Sequence, residues 1–152
     1  MSTAVATSVV TCPNCQRRNR VPAVADGNPR CGNCHRPLPW ITDADDTSFS
    51  EIADKSPRMV LVDLWATWCG PCRMVSPALQ KLATEMADHL KLVKVDIDRS
   101  PALAQRFQVQ AVPTPLIMRN GEIVARRSGA APVNVLGTWV QDAIHQSERG
   151  SS

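Results

Sequence analysis

Val60-Leu61-Val62-Asp63-Leu64-Trp65-Ala66-Thr67-Trp68-Cys69-Gly70-Pro71-Cys72 joins an apolar run to a pair of thiols, and that junction carries most of the information in the chain. Met59 to Trp65 reads as a buried strand. Pro71 suits the first turn of a helix, because the N–H it lacks has no partner there. The thiols then stand where a strand turns into a helix, whose unpaired N–H groups and partial positive charge stabilise a thiolate. A Cys-x-x-Cys pair taken alone is either a reversible disulfide or half of a metal site. The strand before it, Trp68 and the Gly70-Pro71 filling favour redox chemistry.

Downstream, a helix is expected from about Pro71, with Val75, Leu79, Leu82 and Met86 on one face and a kink at Pro77. Leu90 to Val95 reads as a second buried strand, and Ser100-Pro101 as the cap and first position of another helix. Leu116–Met118 and Ile123–Ala125 form a hairpin around Asn120-Gly121. Pro132 opens a last helix with Leu136, Val140 and Ile144 inward. Upstream, Ser48-Phe49-Ser50-Glu51 has the form of a capping box opening a short helix to about Lys55. The order β-α-β-α-β-β-α gives an α/β sheet covered on both faces, without an internal repeat.

Length and composition agree with one domain plus a small appendage: 152 residues, 43% hydrophobic, 4% aromatic and no tyrosine. The net charge of +3 is concentrated in residues 1–39, where Arg17, Arg18, Arg20, Arg30 and Arg36 face only Asp26. That excess is too mild to argue for nucleic acid. Residues 1–11 lack a basic stretch followed by an apolar run, so no secretory signal is expected. No stretch approaches the roughly 20 apolar residues that span a bilayer. A cytoplasmic protein is expected, in which paired cysteines serve as metal ligands or catalysts.

The other four of the six cysteines lie in a segment too polar to fold by burial. Cys12-Pro13-Asn14-Cys15 and Cys31-Gly32-Asn33-Cys34 have the spacing of two zinc knuckles, with one structural Zn²⁺ per chain held by Cys12, Cys15, Cys31 and Cys34. Two disulfides formed on oxidation are the alternative. His35 could replace a ligand, while His89 and His145 read as exposed helix-end residues.

Asp63 interrupts an apolar strand; by alternation it faces solvent, or it is buried and needs a partner. Lys94 could be a snorkelling surface lysine, and Val112-Pro113 an ordinary trans turn.

Several motifs bear on these choices: Val62 to Cys72, Lys94-Val95-Asp96-Ile97-Asp98, Val112-Pro113-Thr114, Asn120-Gly121 and Ser128-Gly129-Ala130. In that order and spacing, residues from about 40 to 146 resemble the thioredoxins. With the N-terminal segment the whole chain resembles the zinc-binding bacterial thioredoxins, the thioredoxin 2 type. The resemblance implies a thioredoxin fold, a central mixed sheet flanked by helices, with a small N-terminal four-cysteine zinc domain. The expected divisions are a flexible tail (1–11), a zinc knuckle domain (12–36), a linker (37–40), the thioredoxin domain (41–147) and a tail (148–152).

The resemblance also implies a protein-disulfide reductase. Cys69, expected to be the more exposed thiol, attacks a substrate disulfide, and Cys72 resolves the mixed disulfide. Asp63 lies buried behind Cys72 as its base, with Lys94 as modulator. A cis Pro113 faces the thiols, and the Val112 backbone pairs with an extended substrate segment. Trp68, Gly70, Pro71, Val112, Pro113, Gly129 and Ala130 form the substrate surface, with Trp65 a packing residue beside it. The implied partners are disulfide-containing proteins and thioredoxin reductase, for a monomer with no organic cofactor. Two departures stand out: Pro115 occupies a strand position, and Leu64 replaces the family's phenylalanine. Two other readings remain open, a docking module built on the zinc segment and a redox sensor that ejects zinc.

Overall fold

A computed structural model describes residues 7–24 and 28–150. Its centre is a five-stranded mixed sheet with strand order β3-β5-β4-β6-β7. The strands are β3 (Trp40–Ala44), β4 (Met59–Trp65), β5 (Leu90–Asp96), β6 (Thr114–Arg119) and β7 (Glu122–Arg126). β3, β5 and β4 run parallel, and β6 and β7 complete the sheet antiparallel. The helices are α1 (Cys72–Glu85), α2 (Pro101–Arg106) and α3 (Val133–Gly150). The elements expected from Met59 onward are all present. Among the described residues, no helix is long and apolar enough to cross a membrane.

β4 is buried on both faces, so its alternation separates two cores rather than core from solvent. Val60, Val62 and Leu64 pack with Phe49, Leu103 and Phe107. Met59 and Leu61 pack on the other side with Val75, Leu79 and Leu82 of α1 and Leu136 and Val140 of α3. Asp63 continues the second set and therefore lies under α1. Each fully buried Leu-sized side chain contributes about 1.5–3 kcal/mol, so these two layers fix the sheet against both helix sets.

Several local expectations change. The segment after Ser48 is one π-helical turn, Ser50–Asp54, closed by Lys55 N–H on the Ser50 carbonyl. Its entry is organised by Asp45, whose Oδ1 accepts the N–H groups of Thr47 and Ser48, so no capping box forms. Ser100 does not cap α2. The carboxylate of Asp46 does, accepting the N–H groups of Ala102 and Leu103 at 3.0 and 2.9 Å. Asn120 and Gly121 both have positive φ (53° and 80°), as a two-residue hairpin turn of this type requires. Pro115 leaves the ladder intact: it lies opposite Asp63, and its carbonyl accepts Arg127 N–H.

The N-terminal divisions also differ. Thr7–Thr11, placed in the expected tail, is strand β1 and pairs antiparallel with β2 (Arg18–Pro22); residues 1–6 lie outside the described residues. α3 runs to Gly150, past the expected start of the C-terminal tail, while residues 151 and 152 lie outside the described residues. The supposed linker is a packed joint. Leu38 and Trp40 are buried with Cys12, Val21 and Cys31. Trp40 donates its indole N–H to the Pro22 carbonyl at 2.8 Å. Lys91, 1% exposed, sits 4.1 Å from the Trp40 ring centroid and donates to the carbonyls of Ala23 and Ile52. The four-cysteine segment is thereby fastened to the sheet.

Candidate functional site

The two thiols of the junction form a disulfide, Cys69–Cys72. Sγ of Cys69 accepts the backbone N–H of Cys72, the first residue of α1, at 3.1 Å, so a helix-start N–H that has no partner within the helix is directed at this sulfur. The same N–H would stabilise a thiolate at Cys69, and the α1 dipole adds to it. The expected difference in exposure is absent in this oxidised form, where Cys69 is 3% exposed and Cys72 2%. What distinguishes the two sulfurs here is the N–H directed at Cys69.

Around the disulfide the candidate residues divide into surface and support. Trp68 is 67% exposed and its indole N–H donates to Asp98 Oδ2 at 2.9 Å, which holds the ring in place. Gly70 and Pro71 are exposed beside it. Val112, Trp65 and Ile97 pack against the cluster of Ala66, Cys69 and Cys72. The Val112–Pro113 bond is cis. The Pro113 carbonyl accepts the N–H of Gly129, whose φ of 90° suits glycine, so the Gly129-Ala130 turn is tied to the Pro113 loop. Met74, on the first turn of α1, is 77% exposed and was not singled out by the sequence motifs.

Asp63 is 0% exposed, which removes the solvent-facing reading. Its Oδ2 accepts a hydrogen bond from Ser76 Oγ at 2.6 Å, while Oδ1 is buried without a partner. Burial raises its pKa above the ordinary carboxylate value; the Ser76 hydroxyl and the charge of Lys94 act in the opposite direction. Lys94 pairs with Asp63 in register across β5 and β4. Its ammonium lies 5.5 Å from the Trp65 ring centroid, and its influence on Asp63 is electrostatic rather than a direct contact. Sequence reasoning missed Ser76. The available signal was its position one turn after Cys72 on the inward face of α1.

At the other end, the sulfurs of Cys12, Cys15, Cys31 and Cys34 all lie within 4.8 Å of one another. The Cys12–Cys34 and Cys15–Cys31 sulfur separations are 3.6 and 3.5 Å. A metal–sulfur tetrahedron with bonds of about 2.3 Å has edges of about 3.8 Å, so the spacing fits one four-thiolate ion. It is far too long for disulfides, whose S–S bond is about 2.05 Å.

The two knuckles are conformational copies. Gln16 and His35 adopt positive φ (69° and 64°). Gln16 N–H donates to the Cys12 carbonyl as His35 N–H donates to Cys31, and Cys12 N–H reaches Arg17 as Cys31 N–H reaches Arg36. The Cys31 thiol is pushed down to about 6, first by the backbone N–H of Cys34, with Asn33 and the Asn19 amide helping against burial. Donors aimed at sulfur favour the deprotonated form that a metal requires. His35 is exposed and outside the cluster, and His89 and His145 are also exposed.

Comparison with known proteins agrees with this geometry. The Thioredoxin family model matches residues 39–142. Thioredoxin C-3 of Corynebacterium nephridii is 34% identical over 144 residues, covering 92% of this chain and 98% of its own length. Thioredoxin of Bacillus subtilis is 44% identical over 96 residues, 63% of this chain and 90% of its own. Thioredoxin of Mycobacterium tuberculosis is 47% identical over 99 residues, 65% of this chain and 85% of its own. With a Cys-Gly-Pro-Cys disulfide at a helix N-terminus on a five-stranded mixed sheet, the chain belongs to the thioredoxin family of thiol-disulfide oxidoreductases, which reduce protein disulfides.

Proposed function

We propose that this protein is a cytoplasmic thioredoxin of the zinc-binding bacterial type, recharged by thioredoxin reductase, with distinct roles for its site residues. The observation that carries the assignment of roles is the Cys72 N–H directed at Cys69 Sγ above a buried Asp63.

Cys69 as thiolate attacks one sulfur of a substrate disulfide. A Cys69–substrate bond forms, the substrate S–S bond breaks, and the departing thiolate takes a proton. The Cys72 thiol then loses its proton toward Asp63 and attacks Cys69 Sγ. The intramolecular disulfide forms and the second substrate thiolate leaves, so two electrons have passed from the dithiol to the substrate. Asp63 suits the proton step because burial raises its affinity for a proton. Lys94 tempers that affinity by its charge. Trp68, Gly70 and Pro71 offer a surface for the polypeptide, the Val112 backbone pairs with an extended segment, and Pro113, Gly129 and Ala130 border it.

Zn²⁺ would be held by Cys12, Cys15, Cys31 and Cys34, whose spacing and sulfur-directed donors suit it. A closed four-thiolate ion leaves no open position and supplies folding energy, not catalysis.

The test is reduction of insulin coupled to thioredoxin reductase and NADPH. Wild type should turn over, and Cys69→Ser and Cys72→Ser should both fall to background. Sustained turnover by either variant would refute the dithiol mechanism.

A further inference from the structure

We propose that Ser76 is a positioning residue for the resolving half-reaction, its hydroxyl occupying Asp63 Oδ2 at 2.6 Å and leaving Oδ1 as the oxygen that exchanges the proton. The inference rests on the reading of Asp63 as the base for Cys72. A carboxylate buried with no other hydrogen-bond donor among the described residues has two equivalent oxygens. A donor on one of them removes that equivalence: a proton taken up goes to the free oxygen, and the hydroxyl continues to donate to the other. It also fixes the carboxyl's rotation, because Ser76 is built into α1 four residues after Cys72. The same helix therefore carries the thiol to be deprotonated and the group that orients its base.

Charged and titratable groups around Asp63 are few. Lys94 faces it from β5 in register. Cys72 lies on α1, one turn before Ser76. The positions of β6 opposite this stretch of β4, Thr114 and Pro115, carry no charge. Among the described residues, Ser76 is thus the one direct hydrogen-bond contact that favours the charged carboxylate against its burial, and Lys94 acts from farther away.

The experiment compares wild type, Ser76→Ala, Ser76→Thr, Asp63→Asn and the Ser76→Ala/Asp63→Asn double variant. The Asp63 carboxyl is titrated by ¹³C NMR in the oxidised protein. The pH profile of the resolving step is followed by the second release of thiol from an aromatic disulfide chromogen. Loss of a hydrogen bond to a charged group should move the Asp63 titration in Ser76→Ala upward by about one to two pH units, with a matching displacement of the rate profile. Ser76→Thr should restore both, and Ser76→Ala should change nothing further in the Asp63→Asn background. An unmoved titration in Ser76→Ala, a displacement that threonine does not reverse, or an effect that persists without Asp63 would overturn the proposal. An Asp63→Asn protein with the wild-type rate profile would instead refute the base assignment itself, so the two failures are distinguishable.

Discussion

Replacing Asp63 by Asn should stabilise the oxidised protein at neutral pH while removing the base. The carboxyl is fully buried, one oxygen satisfied by Ser76 and the other without a partner. Burial raises its proton affinity, so the folded chain holds this proton to higher pH than the unfolded chain, whose carboxyl titrates near 3.8. The sign follows: stability falls as pH rises from about the unfolded value through the folded one, and the penalty is fully present above it. Asparagine keeps an acceptor for Ser76 and replaces the charged orphan by a neutral group. An unsatisfied buried polar group costs about 1–3 kcal/mol, more when charged, so a gain of about 2 kcal/mol is expected at neutral pH. With a urea slope of about 2 kcal/mol/M the midpoint rises by about 1 M. Urea denaturation of both proteins at neutral pH and below pH ~3.5 provides the assay. The gap should close in acid, where both side chains are neutral. A gap equal at the two pH values, or a less stable Asn protein at neutral pH, would refute the reasoning.

Three further outcomes are expected. Purified reduced protein should contain one zinc per chain, and Cys31→Ser/Cys34→Ser should lose most of it by elemental analysis; full retention would exclude the four-thiolate site. Lys91 is pushed down to about 8 by burial, with repulsion from Arg58. Between there and its ordinary 10.5 the unfolded chain binds more protons. Wild-type stability should therefore rise with pH across that window relative to Lys91→Met, and parallel pH curves would contradict it. Asp46→Ala should cost about 1 kcal/mol in chemical denaturation by uncapping α2, whereas Ser100→Ala should cost no more than a few tenths.

What was legible in the sequence was what local chemistry decides. The run Met59–Trp65 is apolar on both faces because it lies mid-sheet, and α1 shows its buried stripe at helical spacing. The two N-terminal cysteine pairs are recognisable by their spacing within a polar segment, and the third pair by the apolar strand before it. Contacts between distant segments were less visible. Asp46 caps a helix some fifty-six residues away, so the adjacent Ser100 looked like the cap. Strand β2 is Arg18-Asn19-Arg20-Val21-Pro22, with no apolar alternation, and it is held by β1 and the knuckles rather than by a broad core. Trp40 read as linker because its partners, Pro22, Lys91 and Arg58, are assembled only by the tertiary fold. Ser76 has no motif of its own in the sequence, because its partner Asp63 lies on another element and meets it only in the fold.

The central claim, that Cys69 attacks and Cys72 resolves, is tested most directly by trapping. Reduced Cys72→Ser and Cys69→Ser proteins are mixed with a disulfide-containing substrate and resolved on non-reducing gels. Cys72→Ser should accumulate mixed disulfides that reductant dissolves, because the attacking thiol and its stabilising N–H remain while the resolving thiol is gone. Cys69→Ser should form few. Adducts that accumulate mainly through Cys72 would show the two roles to be reversed.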